Sequence, residues 1–252
     1  MEDLRDFLDK AAARINCVDF IHKDPVQFPR RFSRLQDIEI VALLSASIAW
    51  GNRKMICNNC EKMLKIMGNN PLAFLRDEAY EDLPDNLNIH RTFFARNFKH
   101  MMRGLKAIYH RHGSLNDFAI ANRVGDSEEP SWRLVELMLH IFKEANNGVS
   151  DSRCLPTNLS STALKRVNMA LRWLVRDDGI VDLGVWNAIK PSQLFIPLDV
   201  HVGDTARELG LIKRRQNDKR TVLDLTATLR EMRPHDPVYY DYALFGVAVT
   251  GD

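Results

Sequence analysis

Residues 161–179 read STALKRVNMALRWLVRDDG. Leu164, Val167, Leu171 and Leu174 recur at spacings of three and four, the repeat of a helix with one buried face. The pattern predicts a helix over 161–179, with Ser160 or Ser161 as its cap. Beside the apolar face runs a second stripe of Lys165, Asn168, Arg172 and Arg176. Such a stripe is ordinarily solvated surface. Lys165, however, falls in the first turn after a loop, where free backbone N–H groups attract phosphate.

The same period governs the chain on both sides of this stretch. DIEIVALLSASIAW (37–50) predicts a mostly apolar helix ended by Gly51-Asn52. RKMICNNCEKMLKIM (53–67) puts Ile56, Cys60, Met63 and Met67 on one face, with Gly68 as the stop and Pro71 opening the next short element. IHRTFFARNFKHMMRGLKAIYHRH (89–112) reads as one long amphipathic helix up to Gly113, and Pro130 opens another that runs to Gly148. Residues 148–161 form the clearest loop. Thr221 with Asp224 resembles a capping box, and Asp236-Pro237 an N-cap and first-turn proline for the last helix. Strand signals are scarce, so the expected fold is all-α, with roughly ten helices.

Composition sets the class. With 252 residues, 45% hydrophobic and 27% charged, the chain can bury a sizeable core, which excludes disordered and collagen-like classes. No apolar run spans a bilayer. The start, MEDLRDFLDKAAAR, is charged and amphipathic, unlike a secretory signal. Four scattered cysteines imply no disulfide framework. The expectation is a soluble, cytoplasmic protein without membrane association. Net charge is only +2, but basic residues bunch at 30–34, 90–112 and 213–220, which permits a phosphate-contacting surface without requiring one. Cys57-x-x-Cys60 lies on a helix with no second pair to complete a tetrahedral site, and no cysteine follows Cys154. The expected metal and cofactor are none. His110 and His112 sit at a helix end that favours cations anyway.

FIPLDVHVGDTARELGL (195–211) brings the chemistry into focus, because Asp199 follows an apolar stretch broken by Pro197 and opens an amphipathic helix. An N-cap is the plain account of it. Asp199 also follows Lys165 by 34 positions, each at a helix start. That layout resembles the helix-hairpin-helix DNA glycosylases. IPLDVHVGDTARELG resembles the family's apolar-x-Asp-x-His/Arg-Val segment, and KRVNMALRW the lysine-initiated helix of archaeal-type 8-oxoguanine glycosylases. EIVALLSASIAW resembles their early helix, and VYYDYALFGVAV their closing one. More narrowly, KRVNMALRWLVRDDGIVDLGVW and AWGNRKMI resemble an uncharacterised bacterial family of the same superfamily, DUF2400.

The resemblance implies a two-lobed helical fold with a cleft between the lobes. Residues 1–252 would form one unit, with approximate lobes 37–165 and 1–36 plus 166–252. It implies a base-excision N-glycosylase with β-lyase activity on a damaged base, such as an oxidised purine, in duplex or single-stranded DNA, acting as a monomer. Lys165 would attack the sugar C1′ and form a Schiff base, and Asp199 would stabilise the positive charge on the sugar. Arg172, Arg176, Asn168, Trp50, Ser47 and His201 would meet DNA or the extruded nucleotide, with Trp173, Trp186 and Phe195 as further pocket aromatics. The family's Leu-Pro-Gly-x-Gly turn reads LPTNLSSTALK here. The glycines that let amides approach a phosphate are missing, and DDGIVDLGVWNAIKPSQ (177–193) separates the lysine helix from the aspartate. The alternatives are a non-catalytic nucleic-acid-binding protein of the same fold, which needs neither Lys165 nor Asp199, and an enzyme of free nucleosides.

Overall fold

In the computed structural model, which describes residues 2–250, the chain opens with α1 (Glu2–Ile15) and α2 (Val18–Ile21), followed by 3₁₀ turns at Pro25–Gln27 and Pro29–Arg31. Then come α3 (Leu35–Ser47), α4 (Arg53–Ile66), α5 (Pro71–Arg76), the antiparallel strands β1 (Asn88–His90) and β2 (Phe93–Phe94), α6 (Ala95–His112), α7 (Leu115–Ala121) and α8 (Pro130–Ala145). The last third carries α9 (Lys165–Val175), α10 (Val200–Glu208), α11 (Lys219–Met232) and α12 (Asp241–Thr250). Among the described residues the protein is all-α apart from that one small hairpin. Among the described residues no helix is long and apolar enough to cross a membrane.

Two compact units share the chain. One runs from His22 to Leu159, and the other joins the chain's two ends, up to Ile21 and from Ser160 onward. The His22–Leu159 unit is organised by two buried carboxylates on α3. Glu39 accepts from the backbone N–H of Leu115 and Asn116 at 2.9 Å each and from the Tyr109 hydroxyl at 3.0 Å. It thereby satisfies orphan donors at the start of α7. Asp37 does the same for α5, accepting from Leu72 N–H at 2.8 Å. Gly104 on α6 admits the Phe142 ring of α8, whose nearest atom lies 2.1 Å from where a Cβ would stand.

The other unit packs α1 and α10 against α12. Ile15 fills the space at Gly246, 2.4 Å from a hypothetical Cβ, and Trp173, Tyr240 and Tyr242 are buried in the core.

Several boundaries differ from the sequence reading for local reasons. The long helix expected over 89–112 begins only at Ala95. Asn88 donates to the Arg91 carbonyl at 2.6 Å and Arg91 turns to φ 49°, which closes a hairpin around Ile89, His90 and Phe93, all fully buried. The helix expected over 161–179 is confined to α9. At its front, the Ser161 carbonyl accepts from Lys219 N–H at 2.8 Å, so neither serine caps the helix, and Leu164 enters it at φ 49°. At its end, N–H groups of Leu183 and Trp186 take the carbonyls of Trp173 and Leu174 at 2.8 and 2.9 Å. The 177–193 segment thus caps the free carbonyls at the end of α9. Asp218 caps α11, three residues before Thr221, and Asp236-Pro237 opens a 3₁₀ turn (Pro237–Tyr240) rather than α12 itself.

Candidate functional site

Lys165 is the first residue of α9, and Asp199 is the N-cap of α10. Asp199 Oδ1 accepts from Val202 N–H at 3.0 Å, which is the cap; Asp199 Oδ2 stands 3.6 Å from Lys165 Nζ. One carboxylate therefore serves the backbone with one oxygen and faces the amine with the other. Both side chains keep about a quarter of their surface accessible (28% and 27%).

A third helix start joins them. Lys219 N–H, at the head of α11, bonds the Ser161 carbonyl just ahead of α9, and Asn217 donates to the Asp199 carbonyl at 3.0 Å. The N-termini of α9, α10 and α11 are thus stitched to one another. Each contributes partial positive charge and aligned N–H groups, and two of the three are capped by aspartates. What the arrangement offers chemically is a partly accessible primary amine beside a carboxylate where three helix starts meet.

Behind the pair lies a buried charge network. Arg172 pairs with Asp241 and, at 3.3 Å, with Asp182. Arg176 binds Asp182, Asp178 at 2.9 Å and Asp236 at 2.9 Å. The Tyr242 hydroxyl donates to Asp182 at 2.8 Å, and Arg172 lies over the Tyr242 ring at 4.4 Å. Burial works against the charge of Arg176, but Asp182 and Asp236 hold it protonated even more firmly than usual. Asp182 is pushed upward by its complete burial, against the opposing pull of the two arginines.

Asp241, the first residue of α12, rises to about 6. Burial is the main cause, opposed by Arg172 and reinforced by the negative charge of Asp199. The field of Lys165 also reaches it. This carboxylate, invisible as a site residue in the sequence, therefore responds electrically to the Lys165–Asp199 pair.

The arginines expected to face DNA are placed otherwise. Arg172 and Arg176 are 4% and 3% exposed, and their guanidinium groups are occupied by aspartates. Arg172 and Arg176 turn inward because Asp178 and Asp182 from the 177–193 segment, with Asp236 and Asp241, neutralise them. Asn168 is buried as well; its Nδ2 donates to the Ala163 carbonyl at 3.1 Å, while Oδ1 has no hydrogen-bond partner among the described residues. His201 is exposed in the first turn of α10. Trp173, Trp186 and Phe195 are all buried, as core residues of that size usually are.

Ser47 and Trp50 belong to the His22–Leu159 unit, Ser47 buried at the end of α3 and Trp50 partly exposed just after it. The Trp50 carbonyl accepts from His90 Nε2 at 2.9 Å, since His90 Nδ1 takes the Asn59 amide at 2.8 Å. Burial lowers the His90 pKa and keeps the ring neutral for that role. Of the two cysteines on α4, Cys60 is buried and its thiol pushed up to about 12 by that burial.

A family profile matches residues 24–250. The chain belongs to this family, described as a protein of unknown function (DUF2400). No curated protein and no solved structure matches it.

Proposed function

We propose that the protein is a DNA base-excision N-glycosylase with β-lyase activity, acting on a damaged base. The observation that carries this reading is the placement of Lys165 Nζ 3.6 Å from Asp199 Oδ2 at two adjoining helix starts. A sugar presented to that point meets a nucleophile and an anion together. Unprotonated Lys165 attacks C1′, and the bond from C1′ to the base breaks, its electron pair leaving with the base. Asp199 stabilises the positive charge that develops on the sugar during this step. Loss of the proton from the attached nitrogen and opening of the sugar ring give an imine between Lys165 and C1′, from which β-elimination cleaves the strand.

Borohydride reduction tests the covalent step, because hydride converts the imine into a stable amine linkage. Wild-type protein is expected to form such an adduct on an oligonucleotide carrying an abasic or oxidised-base site. Lys165→Gln should form none while keeping its fold, since glutamine is a good helix former at this partly exposed position. Lys62→Gln and Lys65→Gln, both on α4, should trap like wild type. Absence of any wild-type adduct across a lesion panel would end the lyase assignment.

A further inference from the structure

The basic run 213–220 could be taken for ordinary solvated surface, but its placement sets it apart. Between Leu211 and Arg220 stand five basic residues (Lys213, Arg214, Arg215, Lys219 and Arg220) and one acidic residue, Asp218, in a chain whose net charge is +2. Two arginines hold this loop in shape. Arg207 on α10 donates from Nε to the Arg214 carbonyl at 2.7 Å and from Nη2 to the Arg215 carbonyl at 2.8 Å and to Asn217 Oδ1. Arg214 donates to Thr221 Oγ1 at 3.1 Å and to Asp218 at 2.6 Å. Asn217, so clamped, bonds the Asp199 carbonyl, and it sits so close to Gly203 that a Cβ there would lie 2.7 Å from it.

These contacts spend Arg207 and Arg214 on the loop and leave Lys213 and Arg215 exposed, their side chains bonded to no described residue. Arg220 is also exposed, with only a distant pairing of 3.9 Å to Asp224. The nearby carboxylates of Asp204 and Asp218 already serve Arg207 and Arg214, whereas Glu208 remains exposed on α10. A loop fixed by internal hydrogen bonds presents its cations without the ordering cost that a mobile tail bears on binding. Asn217 and Lys219 tie this loop to the Asp199 and Ser161 carbonyls, so one hydrogen-bonded frame holds both the loop and the starts of α9 and α10.

We infer that Lys213, Arg215 and Arg220 form a phosphate-contacting surface that holds the backbone of a nucleic-acid strand next to the Lys165–Asp199 pair. The inference rests on the nucleic-acid reading of the site, yet its binding readout is independent of the chemistry. Phosphate contacts of this kind position a strand without reading its sequence.

The test is fluorescence anisotropy of the full chain with a fluorescein-labelled duplex, with and without a tetrahydrofuran abasic analogue, from 50 to 200 mM salt. Lys213→Gln/Arg215→Gln should lower the slope of log affinity against log salt by about 1.8, since each phosphate contact contributes about 0.9. Affinity near 150 mM should fall at least tenfold on both duplexes, with the thermal melt unchanged. An unchanged slope, or no wild-type binding to either duplex, overturns the surface. Equal wild-type affinity for polyglutamate, lost equally in the variant, also overturns it by assigning the cations to acidic polypeptides. A lowered slope together with no borohydride adduct keeps the surface and removes the lyase. A normal adduct with an unchanged slope does the reverse.

Discussion

The two oxygens of Asp199 point at different partners, Oδ1 at Val202 N–H and Oδ2 at the Lys165 amine. An Asn at this place keeps an oxygen for Val202 N–H and loses only the charge that faces Lys165. Asp199→Asn should therefore unfold in urea within a few tenths of a kcal/mol of wild type, and Asp199→Ala should lose about 1 kcal/mol with the cap. On the proposed base-excision reading, single-turnover excision should drop in Asn by at least about a hundredfold, the usual cost of removing a preorganised charge from a reacting centre. Undiminished turnover in a folded Asn variant would leave capping as its only role. That both residues stand at helix starts was legible in the sequence, because helix starts leave strong local signals, whereas their pairing was expected only from the resemblance to the glycosylases. The split use of the two oxygens was not legible, since it depends on a distance across 34 residues of chain.

At the scale of elements, the stripe on α9 illustrates where periodicity stops informing. The helix and its apolar face were readable from spacings of three and four. The direction of the polar stripe was not, because Arg172 and Arg176 meet Asp182, Asp236 and Asp241, up to 69 positions away. No local pattern announces such partners, and an arginine stripe reads the same whether it faces water or buried aspartates.

The burial converts a binding prediction into a stability prediction. Arg176→Met takes one of its two arginines from fully buried Asp182 and the closest cation from half-buried Asp236, and should cost about 3–5 kcal/mol, read as a lowered urea midpoint. A midpoint within error of wild type would argue against the network. Asp241 adds a pH signature. Its pKa in the folded chain, about 6, lies above the roughly 3.9 of an unfolded aspartate. The folded state then holds more protons than the unfolded one between pH 4 and 6, so the residue's contribution weakens as pH rises through that window. Relative to Asp241→Asn, wild type should gain up to about 3 kcal/mol as pH falls from 7 to 4. A flat difference would mean that Asp241 is ionised in the folded chain throughout.

For the molecule as a whole, composition and period sufficed for a helical protein, and they missed the one place where an apolar run folds back on itself. At residues 88–94 the deciding contact is Asn88 to the Arg91 carbonyl, too specific for a hydrophobic repeat to reveal. Net charge was similarly uninformative, because a sum of only +2 conceals the basic loop that follows α10.

The chain's path carries a further consequence, since its first residues complete the unit that holds Lys165 and Asp199. Leu8 and Ala12 on α1 are fully buried, Ile15 fills the gap at Gly246, and Asp9 accepts from Tyr240 at 3.1 Å and pairs with Arg233 at 3.3 Å. The helix they cover, α12, begins with Asp241 and is the one against which α10 packs. Removing residues 2–21 should therefore loosen α12 and, through it, the support of Asp199. Exposure of the Leu8 site alone forfeits about 2 kcal/mol, which corresponds to roughly thirtyfold faster amide exchange where opening of this unit controls it. Hydrogen–deuterium exchange should show that acceleration over Asp241–Gly246, with residues 22–159 keeping the protection they have in the full chain. Borohydride trapping by the truncated protein should weaken in step. Unaltered exchange across α12 would show that the unit stands without its first helix, and the dependence of the site on α1 would be refuted.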